Sequence, residues 1–295
     1  MNVLNERLTL QAGSLALLTA ILWGGNSIAI KVALDGLPPL ALAAARFLLG
    51  GLAVIPWAFF SGVPLRPGPG ERRGLFQLVL LFVAQIYLLN AGTNITTAGR
   101  STVFISTYPF FTAVFAHLFM PGDRLSGLKI AGMTLSFAGV VLVFVDSLTG
   151  GRLGYLPGDV MVLMSGLLLG ARQVYTKKLT QYIHPARLLL WQAALSLPMF
   201  ILLSALLEDL NATVIGPGIV GAVFYQGLVV AGFCFLVSVT LLRRYRASRL
   251  GVFGFVTPVV GVVFSDLLLG EVVSATLLIS VLLVGIGVAI VNTET

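Results

Sequence analysis

The chain holds a single cysteine, Cys234, so it cannot build a disulfide framework. Its two histidines, His117 and His184, leave little to ligate a metal ion, and no cofactor motif is present. Charged residues make up only 10% of the 295 against 58% hydrophobic, and the mean hydropathy is +1.01. That is too little polar surface for a water-soluble domain. No Asp or Glu falls at the centre of any apolar run. Paired membrane aspartates, an H-E-x-x-H motif and a Ser/His couple are missing too, which leaves an intramembrane hydrolase or acyltransferase without chemistry. The runs do not alternate as barrel strands do. They are continuous and about 20 residues long, the length a helix needs to cross roughly 30 Å of hydrocarbon.

What is present divides into ten such spans. Residues 8–34 form the first; Arg7 beside Glu6 makes a poor leader region, and the apolar run continues through Trp23 to Ala33. The others are expected at about 39–60, 74–93, two between 98 and 145, then 158–179, 186–207, 218–242 and two between 247 and 291. Residues 62–70 read as a Gly/Pro loop and 149–157 as a joint, giving units of 8–147 and 158–292 with a linker at 148–157. The even connections carry Arg66, Arg72 and Arg73; Arg124 and Lys129; Lys177, Lys178 and Arg187; Arg243, Arg244 and Arg246. The odd ones carry Asp35, Arg100, Asp146 with Arg152, Glu208 with Asp209, and Glu271. By the positive-inside rule both termini face the cytoplasm. The net charge of +7 is therefore a topology signal, aided by anionic lipid at the inner leaflet, rather than a nucleic-acid footprint. The short connections also offer no soluble partner surface.

The chain repeats. Ala98, Arg100, Val103, Phe104, Pro109 and Phe115 are matched 149 positions later by Ala247, Arg249, Val252, Phe253, Pro258 and Phe264. After a one-residue slip, Asp123, Ser126 and Gly139 stand opposite Glu271, Ser274 and Gly287. At a spacing of 146, Gly24, Lys31 and Pro39 face Gly170, Lys177 and Pro185, and Arg46 faces Gln192. Five spans per unit is odd, so the second unit enters from the opposite side. The expected fold is all-α, ten transmembrane helices as two inverted five-helix repeats, with a solute held where the halves meet.

Trp23-Gly-Gly-Asn-Ser-Ile-Ala-Ile-Lys31, Arg46-Phe-Leu-Leu-Gly50, the Pro109 span followed by Asp123-Arg-Leu-Ser126, and Pro258 followed by Leu269-Gly-Glu-Val-Val-Ser274 together resemble the drug/metabolite transporter superfamily. More narrowly they resemble its ten-helix EamA branch, although Asp123 stands where that family usually has Glu. Within the branch the chain is most similar to bacterial exporters of amino acids, aromatic ones included. The resemblance implies an inner-membrane protein that moves amino acids and related metabolites to the periplasm by alternating access, as a monomer or homodimer and without a cofactor. Export of drugs, purines or other metabolites coupled to protons is the alternative. The missing central carboxylate favours exchange or facilitated diffusion, because proton coupling usually keeps an intramembrane acid.

Burying an unpartnered polar group costs about 2–7 kcal/mol, so polar residues deep in spans are the candidate site. One face of the first span holds Trp23, Asn26, Ser27 and Ile30, and the matching face of the sixth holds Arg172, Gln173 and Thr176. These groups either line a cavity and bind the ammonium and carboxylate of an amino acid, or bond between helices. Gln85 in the third span, Tyr108 in an aromatic stripe of the fourth, Trp191 in the seventh, and Tyr225 and Gln226 in the eighth complete the set. Arg172 could hold a carboxylate through its fork or snorkel to the headgroups. Arg46 is given a structural role, and Lys31 and Lys177 are expected to reach the interface. Gly92, Gly227, Gly232, Pro109 and Pro258 are bending points or close-packing sites. Spans 1, 3, 4, 6, 8 and 9 should enclose the cavity; spans 5 and 10, spaced with glycines, should pack outside it, where a dimer contact is one reading.

Overall fold

The computed structural model describes residues 8–120, 126–149, 153–245, 250 and 252–293. Arg7, Asp123, Arg124, Arg152, Arg246, Ala247 and Arg249 lie outside the described residues. Ten helical spans follow in order: α1 Leu10–Leu34, α2 Pro39–Phe60, α3 Glu71–Ile95, α4 Ala98–Phe119, α5 Gly127–Thr149, α6 Leu156–Thr180, α7 Pro185–Leu207, α8 Pro217–Arg244, α9 Val256–Leu269 and α10 Ala275–Thr293. They alternate in direction, so α1–α5 and α6–α10 cross the bundle in opposite senses. The near face carries the ends Leu10 and Thr293; the far face carries the turns after α1, α3, α7 and α9. Leu48, Leu52 and Ile55 on α2, Ile201 and Leu202 on α7, and Leu267 and Leu268 on α9 are exposed, an apolar exterior suited to lipid.

Four spans are irregular. α1 is interrupted at Gly25, between Leu10–Gly24 and Asn26–Leu34. α4 breaks at Ser106 and Thr107, just ahead of Pro109, whose ring nitrogen has no hydrogen to offer the Ile105 carbonyl. At the repeat-equivalent place, the 3₁₀ turn Val252–Phe255 precedes α9 and Pro258. α8 is π-helical from Tyr225 to Cys234, which widens its turns between two α-helical ends.

In lipid, helices associate through close packing more than through hydrophobic drive. Gly92 of α3 and Gly158 of α6 cross so tightly that a Cβ on either would sit 2.7–2.8 Å from the other's carbonyl oxygen. Gly227 and Gly232 bring α8 onto Leu49 and Ala53 of α2 in the same way. Gly132 and Gly139 of α5 pack directly on α10, where Gly287 answers them. The glycine spacing of these two helices thus serves a contact within the chain and needs no second copy to explain it.

The repeat reappears in side-chain chemistry. Lys31 Nζ donates to the carbonyls of Thr93, Asn94 and Thr96 at 2.8–3.1 Å, and Lys177 Nζ donates to those of Leu242 and Tyr245 at 2.9 and 3.2 Å. Thr93 and Thr96 precede Leu242 and Tyr245 by 149 positions, so each lysine holds the C-terminal end of the third helix in its own half. The expectation that both reach the interface is corrected for Lys177, which is buried against these carbonyls and the negative end of a helix dipole, whereas Lys31 makes the same contacts half-buried.

Candidate functional site

A cavity of about 670 Å³, its open mouth included, lies at mid-bundle where the halves meet. The two interrupted helices frame it. Trp23, Asn26 and Ser27 flank the break in α1, and Ile105, Ser106 and Tyr108 flank the break in α4. Arg46 enters from α2, Gln85 from α3, Arg172 and Gln173 from α6, Phe235 from α8 and Thr257 from α9. A second chamber shares Trp23, Arg172, Gln173 and Phe235 and continues along Thr176, Gln192, Ser238 and Leu242 toward the near face.

Arg46 and Gln85 are 2% and 1% exposed, and Arg172 is 9% exposed. The Arg46 guanidinium lies 5.0 Å from the Phe47 ring centroid, and that of Arg172 lies 4.9 Å from Phe82 and 5.4 Å from Phe235. Phe47 and Phe82 pack edge-on with centroids 4.6 Å apart, so both cations rest on one aromatic cluster. Gln85 Nε2 donates to Ser165 Oγ at 3.0 Å, and that hydroxyl donates to the Gln85 carbonyl at 2.8 Å. The Gln85 Oε1, Asn26 Oδ1, and Arg46 Nε and Nη1 atoms are buried without a partner.

The far side of the cavity is closed. Ile30, Ala33, Leu42, Val103, Phe104, Val162 and Val262 form a fully packed layer. Beyond it, Arg100 Nε lies 3.2 Å from both carboxylate oxygens of Asp159, which also accepts from Thr96 Oγ1 at 2.6 Å. Glu271 accepts from the backbone N–H groups of Ala98 and Gly99 at 2.7 and 2.8 Å, and Glu208 from those of Leu40 and Ala41 at 2.7 and 3.0 Å. Each carboxylate comes from the second half and caps a helix N-terminus of the first, where the dipole favours an anion. Sequence analysis counted Arg100 among the odd connections and did not single out Asp159, so this pair was missed; only their opposite charge hinted at it.

Of the residues singled out from sequence, Asn26, Ser27, Gln85, Tyr108, Arg172 and Gln173 come together around the cavity. Three do not line it. Trp191 donates its indole N–H to the Leu65 carbonyl at 2.6 Å, fastening α7 to the loop after α2. The Tyr225 hydroxyl donates to the Leu22 carbonyl beside the α1 break, and Gln226 Nε2 donates to the Ala29 carbonyl at 3.0 Å. Gly92, Gly227 and Gly232 sit at helix crossings, and Pro109 and Pro258 follow the breaks. Arg46, assigned a structural role from sequence, joins the lining; its charge within a span was the signal.

The family model described as EamA-like transporter family matches residues 11–145 and 156–293. A protein of Escherichia coli (strain K12) named "Probable amino-acid metabolite efflux pump" is 31% identical, the alignment covering 88% of this chain and 87% of that one. A Salmonella typhimurium protein of the same name is 29% identical over 94% and 93%. A solved crystal structure superposes with a TM-score of 0.72 at 21% identity, covering 97% of this chain and 99% of the other, a likeness of fold alone.

Proposed function

This chain belongs to the EamA-like transporter family, a membrane transporter and not an enzyme, and from that premise we propose that it exports amino acids and related small metabolites across the bacterial inner membrane. The observation that carries the reading is the mid-bundle cavity, built from both inverted halves, sealed toward the far face and prolonged toward the near one. An arrangement open to one side only is what alternating access requires of each end state. Arg66, Arg72, Arg73, Lys178, Arg187, Arg243 and Arg244 belong to the near face, whereas the far turns hold Asp35, Glu208, Asp209 and Glu271. The near face is therefore cytoplasmic on this proposal, both termini with it, and the cavity is poised to load from inside. The lining holds no carboxylate to carry a coupling proton, so transport runs as exchange or facilitated diffusion.

The test is counterflow. Protein reconstituted into vesicles preloaded with unlabelled amino acid should accumulate the labelled one above its equilibrium level. No accumulation for any amino acid or acylated derivative would reject the substrate class, and uphill movement driven by an imposed pH gradient would reject the uncoupled mode.

A further inference from the structure

The cavity carries two guanidinium groups and no acid. Arg46 comes from the first repeat and Arg172 from the second, and neither the cavity nor the chamber beyond it is lined by an Asp or Glu. Their flat faces lie on Phe47, Phe82 and Phe235, which stabilises the planar cations but leaves the N–H edges free to donate. For Arg46, Nε and Nη1 are buried with no acceptor at all. A buried cation in that condition is costly unless something else supplies the acceptor. The other unpartnered groups of the cavity lining are of a different kind: Asn26 Oδ1 and Gln85 Oε1 are neutral amide oxygens that accept a hydrogen bond and offer no charge.

We propose that this site selects solutes of net negative charge: one carboxylate is shared between Arg46 and Arg172, and a neutral N–H or O–H of the same solute donates to Asn26 and Gln85. The inference rests on reading the cavity as the transport site and narrows its substrate class. A free ammonium would add a third positive charge where no carboxylate offsets the first two, and a zwitterion leaves the pair's net charge uncompensated. An N-acylated amino acid, or a 2-hydroxy acid, satisfies both sets of groups. Trp23, Tyr108 and Phe235 on the wall suit an aromatic side chain. Because each repeat contributes one arginine, the bound carboxylate also bridges the two halves that must move against each other.

Four ligands separate the possibilities: N-acetylphenylalanine is a monoanion, phenylalanine a zwitterion, N-acetylphenylalaninamide neutral and phenylalaninamide a cation. Affinities would be read on the purified full chain by tryptophan fluorescence and by thermal shift. The monoanion should bind about tenfold or more tightly than the neutral amide, the scale of one charge-assisted hydrogen bond, with the zwitterion between them and the cation weakest. Arg46→Gln and Arg172→Gln should each erase most of that preference and Arg46→Lys and Arg172→Lys should keep much of it, with the melting transition of each variant in the absence of ligand separating loss of a charge from loss of fold. Equal affinities across the four, no measurable binding of the monoanion, or a preference that survives both glutamine substitutions would overturn the assignment. Counterflow of amino acids without an anion preference would sink this inference alone; binding in the predicted order with no counterflow would sink the transport reading and leave the two-arginine site standing.

Discussion

The two pieces of α4 differ sharply in burial. In Ala98–Ile105 every residue from Ala98 through Phe104 is buried, whereas in Tyr108–Phe119 only Pro109 and Ala116 are. The break between them falls at the level of the cavity, so one helix is set wholly in packed protein on the far side and is only part-buried on the near side, where it still crosses α6 at Gly170. Carboxylates set the two faces apart as well. On the far face Asp159, Glu208 and Glu271 each reach from the second half to a cation or a helix N-terminus of the first. Among the described residues, the near face pairs Arg187 with Glu71 and carries a surplus of arginine and lysine. A transporter that opens at one end at a time needs a latch whose parts separate without unfolding, and ionic contacts between otherwise intact helices meet that need better than interdigitated apolar packing.

The largest expected effect lies in that latch. Asp159→Ala leaves Arg100 buried without its anion, and breaking a buried pair from one side costs about 3–5 kcal/mol. Unfolding in a denaturing detergent titration should shift by that much, and a cysteine-directed probe of the far face should gain access to the cavity. An Asp159→Ala protein as stable and as closed as the parent would mean that apolar packing alone seals this end.

Glycines sharpen the contrast by a change of sign. Gly158→Ala drives a methyl to 2.7 Å from the Gly92 carbonyl oxygen, so the far face should lose about 1–3 kcal/mol to overpacking. Gly13→Ala on the near part of α1 meets only Phe253 and Leu8, at 3.5 and 3.8 Å, and should gain about 0.5–1 kcal/mol from the stiffer helix. Melting temperatures of the two variants should move in opposite directions; a common direction would erase the distinction between the faces.

Much of this architecture is legible in the sequence, because Pro, Gly and charged residues are rare in spans and their recurrence at fixed spacing exposes the two halves. The polar face of α1 is legible for the same reason, since Asn26 and Ser27 stand out on an apolar helix. Tyr225 and Gln226 illustrate the limit. Both stand out as polar residues in an apolar span, yet each gives its hydrogen bond to the backbone of α1 at the point where α8 becomes π-helical, a departure that the sequence pattern does not announce. Lys31, Lys177 and Arg100 illustrate another. Their partners are 59 to 68 residues away, and a charge near a span end looks the same in sequence whether it faces headgroups or a neighbouring helix terminus. Arg46 reads as structural from sequence because a lone arginine in a span gives no sign that a second one rests on the same aromatic cluster beside the cavity.

The smallest effect belongs to the near face and reports its charge surplus. His184 caps α7, its Nδ1 accepting from the Ala186 N–H at 3.3 Å, with Trp57 stacked at 6.3 Å between centroids. Partial burial, then the positive charges of Arg243 and Arg187, hold its pKa below the ordinary 6.5. A histidine depressed in this way favours its neutral form in the fold, so its contribution is complete above the unfolded pKa. As pH falls below 6.5 the unfolded chain takes up the proton first, and stability declines until the folded value is passed. Solvent screening keeps the decline small. Melting between about pH 7.5 and about pH 5 should therefore drop slightly, and His184→Asn, which keeps a side-chain acceptor for Ala186 but cannot titrate, should flatten that slope. If the slope persists in His184→Asn, the acid sensitivity does not come from this imidazole, and the charge surplus of the near face leaves no mark on stability.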